Sequence, residues 1–450
     1  MEITFTEKRD GLNAYFFKKN YRLTYPEQIW QNYPHRIKKV WKDNAAHLLT
    51  MNIPMVSDHD RIKYNTSYPL FKSFFSRVVM KSIPSSADEH EHENAEKALR
   101  DFNNAKFEFA DYKIKRPPMT INRRAKLHNA IVAFSMGKDS MLSLAVANEL
   151  GLDPIAVYIN DTVSPNENNT KLKHTKKLWA EHKITGFQVT NQFEKLNDFE
   201  TWDKKETCLG YTHMMTGFSF IALPFVHYYN AGHIIMGNQQ NMNFTFRSKD
   251  DFITYPSYDQ SSEWMLNQNL MIKEMTAHQC GVSSLIEPLT NIPLTHVLFH
   301  RYPDFAKYTM SCDSLDGTRQ HRWCKECTKC ARISLTMRAL NLDPAKVELK
   351  TLLGKKHRNI YPLFNSKYMD CYNQSKNVHD EQLLLFYMAY KNGTKGYLME
   401  LFRKKFLKEA QEREDELYKK FFRVYDAITL HGKMKKKVES IYKEELKEFY

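Results

Sequence analysis

The sequence is poor in glycine and cysteine, and it has no long apolar run. Its 14 glycines in 450 residues exclude a collagen-like chain, and its 7 cysteines are too few for a disulfide-dense secreted scaffold. The longest apolar stretch, residues 217–226, contains Pro224 and is too short to span a membrane. The N-terminal residues MEITFTEKRDGL carry charges where an export signal has its apolar core. We therefore expect a cytoplasmic protein with no membrane partner.

A basic charge balance is the main compositional signal. The formal net charge is +14, while the hydrophobic share of 42% is typical of a folded protein. Such a charge favours anionic partners, namely nucleotides or nucleic acids. Much of it lies on helical patterns in the C-terminal third, where solvated helix faces are the competing explanation. Nucleic acid and a protein acceptor are therefore alternative partners of these helices, and a homo-oligomer is a further alternative.

Three regions follow one another along the chain. Residues 1–125 are aromatic-rich and mixed in pattern, residues 126–345 alternate strands with helices, and residues 346–450 are mostly helical and basic. The alternation predicts an α/β fold with a parallel sheet and crossover helices. In the middle region, apolar runs predict four strands and a fifth, shorter one, at residues 131–135, 155–159, 186–190, 233–237 and 285–289.

Four of the cysteines are close together in the sequence, namely Cys312, Cys324, Cys327 and Cys330. The C-x11-C-x2-C-x2-C spacing lets thiolates converge on one tetrahedral ion, and Zn²⁺ forms closed four-thiolate sites of this kind. The spacing predicts a structural zinc site within residues 309–332. Scattered core thiols, a redox dithiol and an iron–sulfur cluster are the alternatives, because C-x2-C runs also hold clusters.

A short polar loop follows the first strand of the middle region. A tight turn from strand to helix points backbone N–H groups at one spot, and the helix N-terminus favours phosphate there. Gly137 permits close backbone approach, and lysine and serine side chains contact anionic oxygens. Asp139 either caps the helix or positions Mg²⁺. The spacing fits neither a Walker loop nor a dinucleotide-binding loop, and an ordinary strand–turn–helix connection is the alternative. The loop residues are Ser135, Met136, Gly137, Lys138, Asp139 and Ser140.

The loop sequence SMGKDS resembles the SGGxDS signature of the PP-loop ATP pyrophosphatases, with Met136 in place of the first glycine. The resemblance implies the parallel-sheet fold of adenine-nucleotide α-hydrolases and cleavage of ATP between its α and β phosphates. It implies that residues 135–140 bind the pyrophosphate together with Mg²⁺. It also implies catalytic roles for Lys138, Asp139 and Ser140. Two further segments resemble nucleotide-binding positions of the family, after the second and fourth strands: Asn160, Asp161, Gly237 and Asn238.

The order of the motifs resembles one branch of that family, 7-cyano-7-deazaguanine synthase, the nitrile-forming enzyme of queuosine biosynthesis. Residues 309–312 match its T-x-S-C segment, and Cys324, Cys327 and Cys330 match its C-x2-C-x2-C run. The resemblance covers about residues 130–345, and the family's substrate-contacting stretch is matched clearly only at Tyr255-Pro256. It implies an ATP-dependent ligase that adenylates a deazapurine-like carboxylate for attack by ammonia or an amine. A deazapurine-type modification pathway or a defence pathway is the implied setting.

Two other functions stay open. The tRNA thiolases also combine a PP-loop with C-x2-C pairs, and in that case Cys208 is the candidate nucleophile and iron–sulfur the candidate cluster. An inert thiol is the alternative for Cys208. A degenerate PP-loop can also serve as a nucleotide-binding scaffold for the basic C-terminal region. Arg247 or Lys249 is a candidate contact for an anionic substrate, with a solvated surface role as the alternative.

Overall fold

The computed structural model describes residues 1–119, 124–163, 165–312, 322–365 and 376–449. Twelve strands lie within these ranges. They are β1 (Glu2–Lys8), β2 (Gly11–Phe16), β3 (Lys19–Thr24), β4 (Arg61–Ser67), β5 (Lys106–Asp111), β6 (Lys126–Phe134), β7 (Asp153–Asp161), β8 (Thr185–Asn191), β9 (Ala231–Ile235), β10 (Phe246–Arg247), β11 (Ile253–Thr254) and β12 (Gly281–Ser283).

Seventeen α-helices lie within the same described ranges. They are α1 (Glu27–Gln31), α2 (His35–Leu48), α3 (Ile53–Val56), α4 (Lys72–Asp88), α5 (Ala95–Asn104), α6 (Lys138–Glu149), α7 (Pro165–Glu181), α8 (Met214–Tyr229), α9 (Ser262–Met275), α10 (Asn291–Arg301), α11 (Pro303–Ala306), α12 (Thr328–Ala339), α13 (Lys376–Lys391), α14 (Tyr397–Lys405), α15 (Leu407–Glu412), α16 (Glu414–Phe421) and α17 (Gly432–Glu445). Short 3₁₀ segments occupy Gln192–Leu196, Phe199–Trp202, Leu209–Tyr211, Gln240–Asn243, Tyr258–Gln260, Pro344–Val347, Lys355–Ile360, Pro362–Phe364 and Lys447–Phe449.

Ten strands form one large sheet in the order β12-β9-β6-β7-β8-β3-β2-β1-β4-β5. The five strands from β12 to β8 run parallel, with Ala133 of β6 opposite Val157 of β7. Strands β3, β2 and β1 continue the sheet in antiparallel fashion, and β4 and β5 run parallel to β1. The four apolar runs from 131 to 237 fall on β6 to β9, because parallel strands buried on both faces are apolar throughout. The predicted α/β class with a mostly parallel sheet is confirmed.

The fifth strand of the parallel part lies just before the apolar run at residues 285–289. Strand β12 ends at Ser283, and the run itself forms a turn. Leu285, Ile286 and Leu289 are fully buried, so their apolar character reflects the core and not extended backbone. The prediction of a strand at 285–289 is wrong, since a buried turn and a short buried strand have the same composition.

Helices cover both faces of the sheet. Neighbouring residues of β6 alternate between two cores: Ile131 packs with α8, α9 and the N-terminal helices, and Val132 packs with α6, α10, α12 and the C-terminal helices. The N-terminal region joins the sheet through β3, where Leu23 is opposite Asn191 of β8. Residues from all three predicted regions therefore share this architecture, and the boundaries at 125 and 345 stay predictions.

The C-terminal region is helical from α13 to α17, as the sequence predicts. Buried polar groups attach it to the turn after β12. The Glu287 carboxylate accepts the amides of Ile428 and Thr429 at 3.1 and 3.0 Å, and the Tyr442 hydroxyl donates to the Leu285 carbonyl at 2.8 Å. In the part of the chain described here, none of the helices combines the length and the apolar character needed to cross a bilayer.

Candidate nucleotide site and cysteine cluster

The loop between β6 and α6 is held by its own serine hydroxyls. The Ser135 amide donates to Ser140 Oγ at 3.1 Å, and the Gly137 amide donates to Ser135 Oγ at 3.4 Å. Ser140 Oγ in turn donates to the Gly137 carbonyl at 3.1 Å. Because α6 begins at Lys138, the loop lies at the N-terminus of this twelve-residue helix. Backbone amides and the helix dipole there favour an anion.

Met136 has a left-handed backbone conformation, with φ of 62°. Glycine adopts this conformation without strain, whereas a side chain costs on the order of 1 kcal/mol. The methionine side chain is 0% exposed and packs in the core below α6. Its carbonyl accepts the Met310 amide at 2.8 Å, which ties the loop to the segment before the cysteine cluster. Burial of the side chain thus offsets the strain of a position that suits glycine.

Replacing Met136 with glycine is expected to destabilise the fold by about 2 kcal/mol. The change relieves the strained φ but removes a buried side chain worth about 1.5–3 kcal/mol and makes the unfolded chain more flexible. The backbone groups of the loop remain, so ATP affinity should change by less than about threefold, a difference of under ~0.7 kcal/mol. Denaturant unfolding and equilibrium ATP binding measure the two effects, and a more stable glycine variant would contradict this explanation of Met136.

Lys138 and Asp139 form an ion pair at the start of α6. Lys138 Nζ lies 2.6 Å from Asp139 Oδ1, and Lys138 is only 7% exposed. Gly237 packs against Asp139 and Ser140, because a Cβ at position 237 would lie 3.4 Å from Asp139 Cβ and 3.5 Å from the Ser140 nitrogen. The Lys138 amide donates to Ser311 Oγ at 3.2 Å. Three segments distant in sequence therefore meet at the loop.

A cavity of about 280 Å³ opens over this loop. It lies at the carboxyl ends of β6 and β9, where parallel α/β sheets bind ligands. Part of its lining is apolar and includes Val157, Ile159 and Phe218, and apolar surface of this kind suits a planar ring. Six of the residues predicted from sequence line it, namely Ser135, Gly137, Lys138, Asp139, Ser140 and Gly237.

The cavity lining is strongly basic. Lys138 is joined there by Lys171 of α7 and by Lys329 and Arg332 of α12, whereas Asp139 is the single carboxylate among the described lining residues. This balance favours a ligand with several negative charges. Sequence reasoning did not single out Lys171, Lys329 or Arg332. The sequence does contain an indication for Lys329 and Arg332, because each lies two positions after a cysteine of the cluster.

The other predicted nucleotide-binding residues lie beside the cavity. Asn238 does not belong to its lining: the side-chain amide donates to the Gln260 carbonyl at 3.0 Å, and its own carbonyl accepts Ser284 Oγ at 2.6 Å. Asn160 is near the end of β7, and the side chain of Asp161 lies outside the described part. Gln239, which follows in the same GNQQ segment, does line the cavity, and its Oε1 is buried without a partner among the described residues.

The sulfurs of the cysteine cluster converge on one point. All four Sγ atoms lie within 4.8 Å of one another, and those of Cys324 and Cys330 are 3.6 Å apart. Around a tetrahedral zinc ion with Zn–S bonds of about 2.3 Å, sulfurs are separated by about 3.8 Å. The Cys327 amide donates to Cys324 Sγ at 3.2 Å, which stabilises negative charge on that sulfur. Cys312, Cys324, Cys327 and Cys330 therefore fit a four-thiolate zinc site.

The neighbouring sulfurs differ in acidity because they influence one another. The Cys312, Cys327 and Cys330 sulfurs, in that order, lower the pKa of Cys324. The Cys312 and Cys324 sulfurs raise the pKa of Cys327 and Cys330. A divalent cation bound by the four sulfurs would favour the deprotonated form of all of them.

The cluster also positions the basic side of the cavity. Cys327 is the N-cap of α12, and this helix carries Lys329 and Arg332 to the cavity. Ser311, which accepts the Lys138 amide, directly precedes Cys312. The cluster therefore adjoins both chain segments that meet the loop at residues 135–140, although none of its four cysteines is among the described residues that line the cavity.

Three other candidates from the sequence lie away from the cavity lining. Arg247 pairs with Asp251 at 2.6 Å on the surface, and the Lys249 ammonium donates to the Ala87 carbonyl at 2.7 Å. The solvated alternative fits Arg247, while Lys249 is held by the end of α4. Cys208 also lies near that helix end.

No family model matches the chain, and a search of curated proteins finds no match.

Proposed function

We propose that this chain is an ATP-dependent ligase of the PP-loop ATP pyrophosphatase type, forming AMP and pyrophosphate, and that it resembles 7-cyano-7-deazaguanine synthase. The observation that carries the proposal is the basic cavity over residues 135–140. The first residues of α6 line this cavity of about 280 Å³ together with Lys171, Lys329 and Arg332. A triphosphate with an attached planar base matches both the charge and the apolar side of this cavity.

Each part of the site has a distinct task in this proposal. The amides of the loop, the hydroxyls of Ser135 and Ser140 and the Lys138 ammonium hold the pyrophosphate portion of ATP. Asp139 orients the Lys138 ammonium and is the carboxylate available to Mg²⁺, which when bound neutralises phosphate charge. Arg332 and Lys329 approach from α12 and meet either the remaining phosphate or a substrate carboxylate.

The proposed reaction needs positioning and charge stabilisation and no covalent help from the protein. A carboxylate oxygen of a small, deazapurine-like substrate bonds to the α-phosphorus of ATP. The bond from that phosphorus to the pyrophosphate oxygen breaks, and pyrophosphate leaves. Ammonia or an amine then attacks the acyl carbon, AMP leaves with the electron pair of the C–O bond, and the nitrogen releases one proton to solvent. Zinc at the cysteine cluster is structural in this scheme, because four thiolates leave no open position.

The position of Cys208 favours a ligase over a thiolase. Its thiol donates to Glu89 Oε2 at 2.6 Å, and Cys208 is not among the residues of the nucleotide cavity. A sulfur carrier for a nucleotide-activated substrate has to reach that cavity. The scaffold alternative, in turn, requires that ATP is bound without being cleaved.

Partners other than ATP belong to the proposal as well. The basic helices α14 and α17 are the proposed contact for a nucleic acid or a protein acceptor. A cytoplasmic location and self-association of the chain are two further parts of the proposal. Binding that weakens steeply with salt is the expected property of such a basic surface.

Arg332→Ala is expected to lower the catalytic efficiency of pyrophosphate release by roughly 10- to 100-fold, because a charge-assisted contact worth about 1.5–3 kcal/mol is lost. Arg338→Ala is the matched control on the same helix. Its guanidinium contacts Thr351 Oγ1 at 2.9 Å and does not line the cavity, so activity should be unchanged. Steady-state kinetics of pyrophosphate release compare them. Equal losses in both variants would show that the effect comes from α12 stability and not from ligand contact.

A further inference from the structure

A second group of metal-ligand residues lies at the C-terminal end of α4. Glu89 is the C-cap residue of this helix and His90 follows it, while Cys208 precedes the 3₁₀ segment Leu209–Tyr211. One ligand atom from each of the three residues lies within 4.8 Å of the other two. Cys208 Sγ donates to Glu89 Oε2 at 2.6 Å and is 3.7 Å from His90 Nε2. None of the three lines the nucleotide cavity.

We infer that Glu89, His90 and Cys208 bind a zinc-class divalent cation and leave one coordination position for solvent. Thiolate, imidazole and carboxylate are the three ligand types that Zn²⁺ accepts. With Zn–S and Zn–N bonds of about 2.3 and 2.0 Å, tetrahedral geometry places sulfur and nitrogen about 3.5 Å apart. The observed 3.7 Å between Cys208 Sγ and His90 Nε2 matches this separation.

In the metal-free site, the Cys208 thiol keeps its proton and donates it in the hydrogen bond to Glu89. Metal binding replaces the thiol proton, which leaves to solvent, and the Sγ–Oε2 separation widens by about 1 Å as both atoms turn to the ion. Glu89 is buried, whereas His90 and Cys208 are half-buried, so the ion has a path from solvent. Three protein ligands and one solvent position are the arrangement of open zinc sites.

The surroundings of the site are suited to a cation. The carbonyl end of α4 carries partial negative charge, and Glu206 adds negative charge near His90, whereas His92 and Lys249 are the groups that oppose positive charge there. The Lys249 ammonium donates to the carbonyls of Ala87 and His90. These hydrogen bonds hold the backbone on which Glu89 and His90 lie.

The geometry does not suit a cysteine nucleophile. In such sites a base takes the thiol proton and a third group orients the base. Here the carboxylate of Glu89 accepts directly from Cys208, which stabilises the neutral thiol and opposes thiolate formation without a metal. Metal binding, in contrast, uses the side chains of Glu89, His90 and Cys208 together.

Zinc content of the full-length chain tests this site. We expect about two equivalents of Zn²⁺ per chain after dialysis against buffered zinc, one at the cysteine cluster and one at Glu89–His90–Cys208. Cys208→Ala and His90→Ala should each lose one equivalent, whereas Cys280→Ala should keep both, because Cys280 is a buried thiol outside the two groups. Cys327→Ser should lose the other equivalent, which separates failure of this site from failure of the cluster.

Thiol reactivity gives a second readout that does not depend on a correctly folded variant. In the unsubstituted chain, Zn²⁺ should slow alkylation of Cys208 by iodoacetamide at least about tenfold, because a bound thiolate is withheld from the reagent. Peptide mass spectrometry reports the alkylation of Cys208 separately from that of the other cysteines. One zinc per chain that is insensitive to Cys208→Ala and His90→Ala, or a Cys208 alkylation rate unchanged by zinc, would overturn the inference.

Discussion

Alanine in place of Lys138 is expected to lower pyrophosphate release from ATP by about 100-fold or more. The Lys138 ammonium is nearly buried at the cavity and lies 2.6 Å from Asp139 Oδ1. Negative charge grows on the departing pyrophosphate as its bond to the α-phosphorus breaks, so a preorganised cation has its largest effect at that stage. Its removal also leaves the Asp139 carboxylate uncompensated beside the phosphates, which adds repulsion to the lost attraction.

A matched lysine separates this effect from a general loss of positive charge. Lys307 pairs with Glu181 and does not line the cavity, so Lys307→Ala should keep its activity. Lys138→Arg should recover part of the loss, because it restores the charge but not the compact ammonium. Thermal unfolding of each variant checks the fold. Pyrophosphate release by Lys138→Ala at the rate of the unsubstituted chain would exclude Lys138 from the reaction.

Cys327→Ser is expected to remove the metal of the cysteine cluster and to destabilise the protein by about 4 kcal/mol or more. Cys327 is both a ligand candidate and the N-cap of α12, and α12 carries Lys329 and Arg332. The variant should therefore lose pyrophosphate release even at temperatures where it remains folded. A strong chelator should produce the same loss in the unsubstituted chain, and added Zn²⁺ should reverse it.

Cys280→Ala is the control for this experiment, since Cys280 is a buried thiol and not part of the cluster. Its metal content should match that of the unsubstituted chain. Elemental analysis together with the visible spectrum distinguishes the candidate metals: zinc gives a colourless protein, and an iron–sulfur cluster gives a brown one. Iron at the cluster, or full metal content in Cys327→Ser, would contradict the zinc site.

The parts of the fold that could be predicted from sequence are those with local signals. Strands β6, β7 and β9 contain short apolar runs because the sheet is covered on both faces, and such runs are visible in a short window of sequence. The cysteine cluster is local as well, since two-residue spacing brings sulfurs together within one turn. The segment 135–140 combines a motif with a strand-to-helix context: residues 135–137 connect β6 to α6, and residues 138–140 form the first turn of α6.

The parts that could not be predicted depend on contacts between distant segments. The pairing of β3 with β8 places residue 23 opposite residue 191, and no local sequence pattern in either strand indicates this pairing. Lys171 comes to the cavity with α7, although its sequence context is that of a solvated helix face. The contact of Cys208 with Glu89 spans 119 positions, so a lone cysteine in the sequence gave no indication of its neighbours.

Pyrophosphate–ATP exchange is the measurement that tests the proposed chemistry most directly. The full-length chain is incubated with Mg²⁺–ATP, labelled pyrophosphate and a deazapurine carboxylate, and the products are separated by ion exchange. We predict label entering ATP only when the carboxylate is present, AMP accumulating when ammonium is added, and both signals lost in Lys138→Ala. Release of ADP and phosphate, or ATP that stays bound and intact under all these conditions, would contradict an adenylating ligase.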